Sequence, residues 1–281
     1  MPLLSIRGLS LSISGRRGTN VVLTDVSFDV DEGECVALVG ESGSGKSMTT
    51  KCIVGAQPEG SEISGSVDFA GTDITRASRS TLLRMRRAEV AMIYQDPRSG
   101  INPIQRVGDF VVEAVVASGA LTQQAARTRA IELMRAVRLR NPEQIMMRYP
   151  FELSGGMLQR VMIVSALMGS PRLLLCDEPT TALDVTNQAE VVNILGDLQK
   201  KRRLAMVFIT HDLDLAAAIS DRVCVMRDGR IVESGTTSQV LNAPSHPYTK
   251  ALLSSRPTLG GDTATRLPTI AETLAAEGAE R

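Results

Sequence analysis

Cys35-Val36-Ala37-Leu38-Val39-Gly40-Glu41-Ser42-Gly43-Ser44-Gly45-Lys46-Ser47 is the stretch that decides the fold. Five consecutive apolar residues ending in glycines form the pattern of a strand buried on both faces. Residues 46–55 follow with helical spacing. Between strand and helix, residues 40–47 fit GxxxxGK[ST], a loop whose glycines let successive backbone N–H groups turn inward around phosphate oxygens at the positive end of a helix. On this reading Gly40, Glu41, Ser42, Gly43, Ser44 and Gly45 cradle the phosphates of a nucleotide. Lys46 reaches the β- and γ-phosphates, and Ser47 offers its hydroxyl to Mg²⁺. A Gly/Ser-rich turn matches the pattern by accident in about one chain in a hundred, and less often between a strand and a helix.

A second apolar run, Leu173-Leu174-Leu175-Cys176, ends in Asp177-Glu178. Neighbouring side chains on a strand diverge, so the two acids are free for different tasks. Asp177 suits the Mg²⁺ shell, and Glu178 suits polarising a water that attacks the γ-phosphate. A DE pair after apolar residues is common by itself; downstream of a phosphate loop it gains meaning. His211 closes a third apolar run, Ala205–Thr210, at the strand edge where parallel α/β sheets bind ligands. There it can hydrogen-bond the γ-phosphate or the attacking water. Gln95 ends a further strand, residues 90–94, and is a candidate ligand of Mg²⁺ and water.

Around these landmarks, residues 3–13 and 21–30 alternate apolar and polar, as paired antiparallel strands do. Residues 76–148 turn rich in Arg, Ala and Met with helical spacing, while β-branched residues thin out. Sheet-like runs return at 173–176, 205–210 and 222–226, separated by helical patterns at 187–199 and 213–219. The expected fold is therefore α/β, a mixed, mostly parallel core sheet with an N-terminal antiparallel β subdomain and an inserted helical subdomain at about residues 97–168. Beyond Pro257 the composition shifts to Thr, Ala, Gly and Glu, so residues 258–281 are expected to form a flexible tail after a 1–257 domain.

The 281 residues carry 31 Lys+Arg and 31 Asp+Glu, with aromatics at only 3%. Zero net charge and few rings for base stacking argue against a dedicated nucleic-acid binder. No apolar run approaches the eighteen residues of a membrane span, and the N-terminal residues lack the pattern of a signal peptide. Cys35, Cys52, Cys176 and Cys224 are scattered and read as small buried hydrophobes. The arginines at 76, 79, 84, 86 and 87 read as a solvated helix face.

Leu153-Ser154-Gly155-Gly156-Met157, followed by Gln159-Arg160 and an apolar helix, supplies the family resemblance. Ser-Gly-Gly at a helix start is a second anion-binding design. Lying about twenty residues before the acidic strand, it resembles the signature motif of ATP-binding-cassette (ABC) ATPases. The order is then complete: phosphate loop, Gln95, signature, Asp177-Glu178, Ala182-Leu183-Asp184, His211. The resemblance covers residues 3–255. It implies a head-to-tail dimer in which Ser154, Gly155, Gly156 and Gln159 act on the partner's ATP and Asp184 links the two sites. It also implies a peripheral location on the cytoplasmic face of the cell membrane, where the Gln95 region and the helical subdomain transmit closure to two permease subunits.

Residues 95–103, QDPRSGINP, and residues 246–253, HPYTKALL, resemble the peptide/nickel importer group. Residues 149–160 are similar to nickel-importer ATPases, and the Met157 form of the signature with Pro179-Thr180-Thr181 resembles the first of two sibling ATPases. The resemblance thus implies a heterodimer and, indirectly, an extracytoplasmic solute-binding protein. Two departures stand out. Where many relatives stack an aromatic on adenine, the position is held by Ile13, leaving aliphatic packing or help from Arg16 or Arg17. The cysteine cluster that holds an iron–sulfur centre in many peptide-importing relatives has no counterpart after Cys224, so no such cluster is expected. An exporter cassette shares the chemistry but not the 95–103 and 246–253 segments. Translation and repair ABC ATPases require a doubled motif set or coiled-coil insertions. A small-molecule kinase would leave the signature unexplained.

Overall fold

The computed structural model describes residues 1–15 and 18–255. Arg16, Arg17 and the expected tail at 258–281 lie outside the described residues. In chain order the elements are β1 (Leu4–Gly15), β2 (Gly18–Val30), β3 (Cys35–Val39), α1 (Lys46–Ile53), β4 (Ser61–Phe69), β5 (Thr72–Asp73), α2 (Arg79–Ala88) and β6 (Val90–Ile93). Then come α3 (Val107–Ala117), α4 (Gln123–Ala136), α5 (Pro142–Met147), α6 (Gly155–Leu167), β7 (Leu173–Asp177) and α7 (Val185–Arg202). The described residues end with β8 (Ala205–Thr210), α8 (Leu213–Ile219), β9 (Arg222–Arg227), β10 (Arg230–Thr236), α9 (Thr237–Asn242) and α10 (Pro247–Ser254).

Two sheets form. One is antiparallel, in the order β2-β1-β4-β5; the other has the order β10-β9-β3-β8-β7-β6 and is parallel except for the β9–β10 pair. The central strands β3, β7 and β8 are buried along their whole length. Their side chains alternate between two faces, as the period of two demands. Val36, Leu38, Leu173, Leu175, Val207 and Ile209 pack toward the antiparallel sheet. Leu174, Cys176, Met206 and Phe208 point the other way, into a core shared with α3, α4, α6 and α7. All four cysteines are buried, and burial pushes the Cys52 thiol up to about 11 and that of Cys224 up to about 12.

The helices α3 to α6 occupy the chain between β6 and β7, within the expected helical insertion. Local signals set their starts: the Thr122 hydroxyl accepts the Ala125 amide ahead of α4, and Pro142 opens α5. The Arg-rich helix α2 is separate from this group, since its Met85 joins the core beneath the antiparallel sheet. All five noted arginines are exposed, as expected. Arg86 does more: its Nε donates to Val54 O at 2.7 Å and its Nη2 to Gly55 O at 2.5 Å, satisfying carbonyls at the end of α1.

Strands β4, β5 and β10 were not foreseen. In β4 only Val67 and Phe69 are buried, and β10 has no fully buried residue, so neither offers a clear apolar alternation. Pairing with β1 and β9 makes them strands. Among the described residues no helix is long and apolar enough to cross a membrane.

Phe208, fully buried at the centre of β8, is a direct test of this core. Phe208→Ala is expected to reduce unfolding free energy by about 3–5 kcal/mol in denaturant titration; a loss below about 1 kcal/mol would contradict its close packing.

Candidate functional site

The parallel register brings the carboxyl ends of four strands level. Val39 lies opposite Thr210, Asp177 opposite Ile209, and Ile93 opposite Cys176. Residues 40–47, Asp177-Glu178, His211 and Gln95 therefore emerge along one edge of the sheet, where such sheets bind ligands.

The loop after β3 must turn sharply under the β9 strand end. Gly40 has φ 152°, and a Cβ there would run into the Met226 carbonyl oxygen. Gly45 has φ 104°, and its Cβ would come within 2.7 Å of Leu23 Cδ2. Only glycine fits both places. The loop is braced from outside by the Gly229 amide, which donates to Ser44 O at 3.1 Å, while the Thr24 amide donates to Gly229 O at 2.8 Å.

Lys46 opens α1 and curls back over the loop. Its Nζ donates to Gly40 O and Glu41 O, both at 2.8 Å. Burial holds this amine below the usual lysine range, with Glu178, Asp177 and Glu41 pulling it back up. Ser47 Oγ donates to Asp177 Oδ1 at 2.7 Å. Glu178, with φ 47°, points elsewhere: its Oε2 accepts Gln95 Nε2 at 3.0 Å and Thr181 Oγ1 at 2.9 Å, and lies 3.5 Å from His211 Nδ1. The two acids diverge, but Glu178 lies one residue past β7 in a left-handed conformation, so the turn and not the alternation of the strand separates them. His211 is 59% exposed and faces the open side of the site.

A cavity of about 860 Å³ opens here, lined by Glu41 to Ser47 except Ser44, and by Val22, Met48, Gln95, Glu178 and His211. It is large enough for a nucleotide, with backbone N–H groups and one lysine at its floor and carboxylates at its wall. Val22 had no signal in the sequence, because only tertiary packing brings it to the loop, whereas Met48 lines the cavity as the residue directly after Ser47.

Two expected residues sit elsewhere. Ile13 pairs with Asn20 and Ser61 and does not line the cavity. Strand β2 lies between β1 and the loop, as the approach of Leu23 to Gly45 shows, so Val22 takes the apolar position. Gln159 is 1% exposed within α6, its Nε2 buried without a partner, and so cannot face a second molecule. Ser154 and Gly155 are exposed; the Ser154 hydroxyl accepts the Met157 amide at 3.3 Å and starts α6. Gly156 is buried against α7, where a Cβ would meet Asn187 Oδ1 at 2.6 Å. Asn187 Nδ2 in turn donates to the exposed Asp184 at 2.7 Å, and Asp184 caps α7. The hydrogen bonds from Asn187 hold the Asp184 carboxyl below its usual range.

A phosphate loop over a parallel sheet edge, with an acidic strand and a Ser-Gly-Gly helix start, defines a nucleotide-binding ATPase cassette. The ABC transporter family model matches residues 23–181, and the model for the C-terminal region of oligopeptide/dipeptide transporters matches 232–279. The peptidoglycan transport ATP-binding protein YejF of Agrobacterium fabrum is 45% identical over 91% of this chain, and the chain spans 47% of that protein, about half its length. The oligopeptide transport ATP-binding protein OppD of Bacillus subtilis is 43% identical over 92% of this chain and 72% of its own. Among solved structures, the dimeric ATP-binding cassette MJ0796 bound to ADP and Pi aligns with TM-score 0.74 and 24% identity over 83% of this chain and 98% of its own, a likeness of fold. The chain belongs to the ABC transporter family, as an ATP-binding and ATP-hydrolysing cassette.

Asp177 supplies a test that needs no nucleotide. It is 8% exposed, and burial raises its carboxyl above the usual range, with the Ser47 hydrogen bond opposing and the Glu178 charge adding. An acid whose folded pKa lies above its unfolded value favours folding below the unfolded pKa and loses that contribution as pH rises through the folded one. At neutral pH ionised Asp177 therefore opposes folding. Nucleotide-free Asp177→Asn is expected to melt at the same or a higher temperature than the parent at pH 7.5, and a clearly lower Tm would contradict the assignment.

Proposed function

We propose that this chain energises an ABC importer for peptides or related small solutes by binding and hydrolysing ATP as half of a head-to-tail dimer. The observation that carries the proposal is the convergence of Lys46, Ser47, Glu178, Gln95 and His211 around one cavity, with Asp177 bonded to Ser47 behind it. In this reading the amides of residues 40–47 and the positive end of α1 bind the phosphates. Lys46 exchanges its contacts with Gly40 and Glu41 for the β- and γ-phosphate oxygens. Glu178, oriented by Gln95 and Thr181, accepts a proton from the attacking water, and His211 hydrogen-bonds the γ-phosphate from the exposed side. Val22 and Met48 give adenosine an aliphatic surface.

Hard oxygen donors meet where Ser47 Oγ touches Asp177 Oδ1, with the Gln95 amide nearby, and this donor chemistry fits Mg²⁺. One carboxylate with substrate phosphates is the usual mode of holding that ion. Bound there, Mg²⁺ neutralises phosphate charge.

The exposed Ser154–Gly155 corner does not line this chain's own cavity, which supports a role toward a partner's nucleotide. The match of residues 232–279 to the oligopeptide/dipeptide C-terminal region supports an importer. The names of the relatives reported above favour peptide-type cargo over nickel. On this basis the partners are two permease subunits, a sibling ATPase and, indirectly, a solute-binding protein, with the cassette peripheral on the cytoplasmic face of the membrane.

Glu178→Gln is expected to keep ATP binding while lowering the release of free phosphate by about 100-fold or more, the usual weight of a general base. Turnover at the parental rate would remove Glu178 from that role. Lys46→Ala is expected to weaken ATP binding at least tenfold by equilibrium titration; unchanged affinity would count against the phosphate-loop assignment. Appearance of a phosphorylated small molecule in place of free phosphate would favour a kinase.

A further inference from the structure

The HPYT segment at 246–249 has no part in the chemistry above, yet its tyrosine reaches the phosphate loop. Tyr248 is 0% exposed, the largest fully buried side chain among the described residues. Its ring lies among Ala37, Val39, Val225 and Val240, directly behind β3. Its hydroxyl accepts the Glu41 amide at 3.2 Å and donates to Glu41 Oε2 at 3.3 Å, across 207 residues of chain. Arg227, from the strand end that braces the loop, sits over the ring with its guanidinium carbon 5.0 Å from the centroid.

The ring is itself held from behind. Glu233 of β10 accepts Ser245 N at 2.7 Å and Ser245 Oγ at 2.8 Å through one oxygen, and His246 N at 3.1 Å through the other. His246 Nδ1 accepts the Tyr248 amide at 3.1 Å and caps α10, whose first residue is Pro247. A continuous set of contacts thus runs from β10 through Glu233, His246 and Tyr248 to Glu41, and from Glu41 O to Lys46 Nζ.

We infer that Tyr248 is a positioning residue of the nucleotide site, its hydroxyl fixing the Gly40–Glu41–Ser42 turn so that the loop is shaped before phosphate arrives. This rests on the reading of residues 40–47 as the phosphate cradle. The hydroxyl bonds both the amide and the carboxylate of Glu41, so it sets the direction of that peptide plane. The amides of Ser42 and Gly43 follow from that plane. A preformed loop spends less binding energy on ordering itself. Burial pushes the Tyr248 phenol up, with the Glu41 charge contributing, so the hydroxyl keeps its proton through the physiological range. The C-terminal element of this chain is in this way a structural part of the ATP site.

The test uses the full chain and six forms: parent, Tyr248→Phe, Lys46→Ala, Val240→Ala, Glu41→Ala and the Glu41→Ala/Tyr248→Phe double variant. Val240 shares the same apolar cluster but touches no loop atom among the contacts above. Tyr248→Phe retains the ring and removes one hydroxyl. The expected result is an ATP Kd and KM raised about five- to tenfold, the weight of one or two hydrogen bonds, with kcat within about twofold of the parent. Adding Tyr248→Phe to Glu41→Ala should weaken ATP binding less than it does in the parent, because the two groups act as a pair. Val240→Ala should lower Tm without raising KM. Parental Kd and KM in Tyr248→Phe, or an equal KM rise in Val240→Ala at similar Tm loss, overturns the inference. Unchanged ATP affinity in Lys46→Ala instead overturns the cradle reading on which it rests.

Discussion

The parallel hydrogen-bond ladder joining β6, β7, β8 and β3 controls where every reactive group of this protein stands. Its register sets Val39 beside Thr210 and Asp177 beside Ile209, so the residues that leave these strands share one edge. Slipping any strand by one residue would exchange its two faces and move its terminal group by about 3.3 Å, enough to break a hydrogen bond. These strands are apolar on both faces, with one set of side chains packed under the antiparallel sheet and the other against the helices. The energetic weight of the core and the geometry of the site are consequences of the same pairing.

Within that frame the loop at residues 40–47 is held from three directions. Lys46 ties it from within, the turn at Gly229 from one flank, and Tyr248 from behind. Charge is distributed to match. The carboxylates of Asp177 and Glu178 face the lysine but are each engaged by a neutral donor, Ser47 and Gln95. In the function proposed above, a nucleotide entering this edge would exchange the internal contacts of Lys46 for phosphate oxygens. The zero net charge of the whole chain conceals this local separation of charge.

The exposed Ser154-Gly155 corner sits apart from that cavity and is mechanically tied to α7. Gly156 lies against Asn187, and Asn187 holds Asp184. A displacement at either the signature helix or the Asp184 corner is therefore felt at the other through a single side chain. In the head-to-tail arrangement proposed above, that contact would give the two segments a common support within each subunit.

The central strands were legible because burial on both faces requires continuous apolar runs; Cys35–Val39 and Ala205–Thr210 matched residue for residue. The glycine pattern of residues 40–47 was legible because only glycine tolerates the turn beneath Met226. Other features left no local trace. Strand β4 is made by its pairing with β1 and not by its composition. Ile13 looked suited to adenine, yet β2 lies between it and the loop. Gln159 belongs to a recognisable motif, but helix rotation about the axis of α6 turns it inward. Chain order and residue chemistry determined which groups this protein uses and which strand ends carry them. Tertiary packing alone decided that Val22 meets the cavity and that a tyrosine 207 residues away supports Glu41, because those contacts depend on distances that one-dimensional spacing does not encode.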